Sequence, residues 1–95
     1  MEDTEIENLV RRFFWKRFPD NSKVEVHKSL DYGPIGEVWI CEARDGMSDT
    51  NFLFELGFSR KEAVQNAVVR ILERYYLSSG KDPEELELLL ESEGG

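Results

Sequence analysis

Three helix starts divide this chain, and the segment between the first two limits what it can fold into. Thr4-Glu5-Ile6-Glu7 and Ser59-Arg60-Lys61-Glu62 each place a hydroxyl acceptor three residues before a glutamate. At that spacing side chain and backbone can cap one another at a helix N-terminus. Asp82-Pro83-Glu84-Glu85 sets an acceptor at the cap and a proline at the first helical position, where no N–H is needed. The first helix is expected from Glu5 to Phe18, with Pro19 stopping it. Ile6, Leu9, Val10, Phe13 and Phe14 form its apolar face, and Trp15 lies nearly opposite. The second is expected from Arg60 to Leu77, ended by Ser78-Ser79-Gly80, with Val64, Ala67, Val68, Ile71 and Tyr75 facing the core. The third is short and acidic, from Pro83 to Glu91, with Leu86, Leu89 and Leu90 on one face.

Between the first two helices lie three strand candidates. Val24 and Val26 alternate with Lys23, Glu25 and His27, while Glu37 to Ala43 and Asn51 to Phe58 are rich in aromatic and branched residues. The connections, Tyr32 to Gly36 and the one opening at Asp45-Gly46, are too short for a crossover helix, which favours an antiparallel meander. The expected class is α+β: a two-layer α-β-β-β-α domain over residues 1–81, with two helices on one face of a three-stranded antiparallel sheet. Residues 82–95 add a short acidic helix and tail. The opposite sheet face is expected to be more polar and partly solvated.

A chain of 95 residues holds one core. No apolar run reaches the length of a membrane span, and the acidic start is unlike a signal peptide. The single cysteine, Cys41, excludes an internal disulfide framework and suggests a reducing, intracellular compartment. The formal charge of −8 opposes phosphate binding when taken as a whole. Its distribution is uneven: residues 59–81 carry five basic and two acidic groups, and residues 82–95 carry six acidic groups and no basic one.

Catalysis finds no support in the residues. His27 has no second histidine or cysteine at ligand spacing, so neither a metal nor another cofactor is expected. Cys41 sits inside an apolar strand and reads as a small core residue. Nothing pairs a nucleophile with a base, and no feature points to a small-molecule substrate. Arg60 and Lys61 are more informative, because cations in the first turn of a helix oppose its macrodipole. Arg11, Arg12, Lys16 and Arg17 make a basic cluster on the first helix, balanced by nearby acidic residues. The second helix carries surplus apolar side chains at Val69, Leu72 and Tyr76, a receiving surface for the terminal leucines or for another chain.

The element order and two local motifs together resemble the double-stranded RNA-binding domain family. Leu56-Gly57-Phe58-Ser59-Arg60-Lys61-Glu62-Ala63-Val64-Gln65-Asn66-Ala67 is similar to the family's glycine, serine and lysine-rich entry into its last helix. Gly33-Pro34 resembles the family's loop between strands one and two. The resemblance covers residues 5–77. It implies that the first helix and that loop touch successive minor grooves while the last helix meets phosphates between them. On that basis Arg60, Lys61, Gly33 and Pro34 match RNA-contacting positions, with Arg11, Arg12 and Arg70 as further candidates. Val64 stands where the family has a third lysine, and Gly36 where it commonly has histidine.

Two functions follow as expectations. The first is a non-catalytic module of this type that works mainly through protein contacts, as an adaptor or a homodimer within an RNA-related complex. Its candidate interface residues are Trp15, Phe54, Val69, Leu72 and Tyr76. The alternative is sequence-independent binding of double-stranded RNA, modulated by the acidic tail.

Overall fold

The computed structural model describes residues 1–20, 22–29, 34, 36–48 and 50–93. Six elements follow one another: α1 (Asp3–Arg17), β1 (Ser22–Ser29), β2 (Val38–Asp45), β3 (Asn51–Gly57), α2 (Arg60–Tyr76) and α3 (Pro83–Ser92). The α+β order expected from the helix starts and strand runs is the one observed.

The strands pair antiparallel in the order β1-β2-β3. Their register puts Val24, Ala43 and Leu53 in one row and Val26 and Cys41 in the next, on the side covered by the helices. Near its start β3 is irregular: Ala43 pairs with Leu53 but Arg44 with Asn51, so Phe52 is the extra residue of a bulge. The bulge turns Phe52 toward the helices, where its ring stacks on Phe18 at 4.2 Å and on Phe14 at 6.3 Å.

α1 and α2 bury Phe13, Phe14, Val68, Ile71 and Leu72 completely between themselves and the sheet. α2 begins as expected: the Ser59 side chain accepts from the Glu62 amide at 3.0 Å. Gly57 precedes it because β3 and α2 approach closely, and a Cβ there would collide with the Ala63 backbone. α2 ends one residue early, at Tyr76, with Leu77 itself taking the left-handed conformation at φ 53°. α3 begins on Asp82, whose side chain accepts from the Glu84 amide at 2.9 Å. It packs on α1 and α2 and buries Leu86 and Leu90 in the same core cluster.

α1 differs from expectation at its start. It begins at Asp3 with Glu2 at the cap, and no side chain caps it. The Thr4–Glu7 box does not form: Thr4 lies inside the helix, and the Glu7 carboxylate is bound by Arg60 on the other helix.

Candidate functional site

Three of the RNA-contact candidates, Arg60, Arg11 and Arg70, are already engaged within the domain. Arg60 grips Glu7 through two parallel bonds, Nε to Oε2 and Nη2 to Oε1, each 2.7 Å. The guanidinium also lies over the Trp39 ring, 5.6 Å from its centroid. The hydrogen bond from Arg60 holds the Glu7 carboxyl below its ordinary pKa against the opposing effect of burial, with the Arg60 and Arg11 charges adding to it. Arg11 approaches the same carboxylate at 3.8 Å and bonds Asn8. Arg70 is held by Glu55 at 2.7 Å and approaches Glu73 at 3.8 Å. Val64, at the third basic position of the resemblance, is a buried core residue. Of the candidates, Lys61 and Arg12 are exposed and make no ion pair among the described residues. Pro34 is exposed; Gly33 lies outside the described residues.

The candidates for a protein interface separate into two sets. Leu72 is fully buried, and Val69 and Tyr76 are partly buried, so the α2 flank expected to be open is largely used by the fold. Tyr76 packs against Phe13 and carries the Arg17 guanidinium over its ring at 5.5 Å. Burial pushes its phenol pKa up. Trp15 remains 53% exposed beside Arg12, Lys16 and Leu90, because α3 reaches only its edge. Phe54 is 44% exposed on the outer face of β3.

Phe54 has neighbours that the sequence reading missed. Leu56 and Phe58 follow it on the same face, 37% and 72% exposed, and Val38 and Ile40 of β2 lie buried beside them. A shallow apolar cavity opens between Val38, Leu56, Gly57 and Phe58, with Glu62 at its rim. The signal was the alternation of Phe54, Leu56 and Phe58 along β3, three large apolar side chains on the face expected to be polar. Among the described residues the outer face is polar at Glu25 and His27 of β1 and at Glu42 of β2, which sit in adjacent rows.

Side chains of α2 occupy two carbonyls along the free edge of β3. Asn66 donates to the Leu56 carbonyl and Arg74 to the Phe52 carbonyl, both at 2.8 Å, and Arg70 reaches Glu55 between them. These three side chains stand four residues apart, on one side of the helix.

Two further groups carry metal-ligating or nucleophilic atoms. Ligand atoms of Glu25, His27 and Glu42 lie within 4.8 Å of one another. Glu25 Oε1, however, already accepts from Lys23 at 3.1 Å and from Arg44 at 3.2 Å, so the group is an ion-pair cluster with no assigned metal. Cys41 is fully buried, and burial pushes its thiol up to about 12, leaving no thiolate for nucleophilic work at neutral pH.

No protein-family model matches the chain, and neither the curated proteins nor the solved structures contain a match. Among the described residues no helix is long and apolar enough to cross a membrane.

Proposed function

We propose that this domain is a non-catalytic protein-interaction module of the double-stranded-RNA-binding type, an adaptor whose contact surface is the outer face of β2 and β3. The observation that carries this reading is the row Phe54, Leu56 and Phe58, open to solvent over Val38 and Ile40. Single exposed apolar side chains are ordinary on a monomer, but a contiguous row beside two buried apolar residues of the next strand has the composition of an interface core. The internal pairing of Arg60 and Arg70 supports the same reading, since a phosphate would have to displace Glu7 and Glu55 to reach them.

The test is affinity capture from native extract with the parent domain and with a Phe54→Ser/Phe58→Ser variant, whose side chains lie outside the core. The variant is expected to lose the proteins that the parent retains. An identical captured set from both would remove the reading.

A second reading, binding of duplex RNA, draws support from Lys61 and Arg12, two exposed cations that make no ion pair among the described residues. It predicts a salt-sensitive complex with a duplex of about 16 base pairs, weakened by Lys61→Ala. No complex at low salt would exclude it.

A further inference from the structure

The surface over β2 and β3 has features that select its occupant. An arriving strand would need the free edge of β3, and that edge is strapped: Asn66 and Arg74 occupy the Leu56 and Phe52 carbonyls, and the Arg70–Glu55 pair spans the gap. An extended segment laid on the face instead would bring its own N–H and C=O groups against Phe54, Leu56 and Phe58, where they find no partners. A helix satisfies its backbone internally and needs only an apolar stripe. The length suits one: Phe54 to Phe58 spans about 13 Å of extended chain, close to the rise of two helical turns, and a single helix about 10 Å across would cover the β2–β3 pair. The domain's own inner face is covered by helices in the same way.

Charge selects further. Glu42 lies opposite Phe54 in the register, and Glu62 stands at the Phe58 end of the cavity. Among the described residues Glu62 makes no ion pair, and Glu42 approaches only His27, at 3.8 Å. The apolar row thus has a carboxylate near each end. Two copies of a chain of charge −8 would repel, which disfavours a homodimer through this face.

We infer that the outer sheet face receives a cationic amphipathic helix from a partner protein, its apolar stripe on Phe54, Leu56 and Phe58 and its flanking lysines or arginines beside Glu42 and Glu62. The inference rests on the protein-interaction reading and names the partner's chemistry.

The experiment is a titration of the isotope-labelled domain, followed by amide chemical shifts, with three synthetic peptides of about 18 residues, long enough to hold a helix on contact. The first has leucine at helical spacing and lysine flanks, the second has the same leucines with glutamate flanks, and the third alternates valine and lysine to favour a strand. The lysine-flanked helix is expected to shift amides along β2 and β3 and to bind at least about tenfold more tightly than the other two. Phe58→Ser should weaken it about tenfold, as loss of a large apolar anchor does. Glu62→Gln should weaken it a few-fold and flatten its salt dependence, as loss of a rim charge does. Equal binding of the glutamate peptide, preference for the strand peptide, shifts confined to α1, or no binding would each overturn the inference. If that happens while Phe54→Ser/Phe58→Ser still abolishes capture of natural partners, only the partner class falls. If capture is also unaffected, the interaction reading falls with it.

Discussion

At the scale of single residues, Glu7 decides more than any other side chain. It is buried on α1, it draws Arg60 from the start of α2, and it joins the two helices where they meet the sheet. Its engagement has two costs: the first helix loses its expected cap, and the domain loses the arginine most suited to a phosphate. Replacing Arg60 by Ala strands a buried carboxylate. A fully buried pair broken in this way costs about 3–5 kcal/mol, but Arg60 is roughly half exposed, so screening reduces the expected loss to about 1–2 kcal/mol in urea denaturation. Because the Glu7 pKa is lowered on folding, its stabilisation is full above pH of about 4.5 and is lost as pH falls through the lower folded value. Glu7→Gln should therefore remove part of the acid destabilisation, measured as the change in midpoint between pH 6 and 3. An unchanged pH profile would mean that other carboxylates set the acid limit.

At the scale of elements, helix existence and strand order were legible because they depend on local signals: caps at Ser59 and Asp82, Pro83 at a first helical position, apolar spacing of three and four. Features set by tertiary contacts were not. The Thr4 box satisfies every local requirement, yet the helix starts before Thr4 and Glu7 is bound by Arg60, far along the chain. Phe52 belongs by alternation with Phe54 and Leu56, yet a one-residue bulge sends it to the opposite face. Leu72 reads as surplus surface until α3 is docked. The strap from α2 to β3 was equally invisible, since Asn66, Arg70 and Arg74 look like an ordinary solvated stripe. It makes an element-scale prediction: Asn66→Ala/Arg74→Ala frees two edge carbonyls and exposes β3 to pairing with other chains. The variant should self-associate in sedimentation velocity and bind thioflavin T at concentrations where the parent stays dispersed. A monodisperse variant would show that the hydrogen bonds do not guard the edge.

For the whole molecule, the question is whether residues 82–95 are an appendage or a part of the core. Their composition, six acidic groups without a basic one, suits a solvated tail. Their packing does not: Leu86 and Leu90 are buried, Lys16 donates to the Leu90 carbonyl at 3.3 Å, and Glu93 draws Arg17 to 3.1 Å and Lys16 to 3.7 Å. Truncation after Lys81 tests two consequences at once. Burying two leucines is worth about 3–6 kcal/mol before the entropy of ordering the helix is subtracted, so a net loss of about 1–3 kcal/mol is expected. A tail that merely frays would leave stability unchanged. Truncation also takes the formal charge from −8 to −2 and releases Lys16 and Arg17 from Glu93, beside Trp15 and Arg12, enlarging the basic surface at the end of α1. If duplex RNA binds the truncated chain and not the full one, with a slope against salt appropriate to a few phosphate contacts, α3 screens a basic face that the domain otherwise retains. If neither form binds RNA while stability falls as expected, α3 is a structural layer, and the basic end of α1 gives the duplex-RNA reading no support.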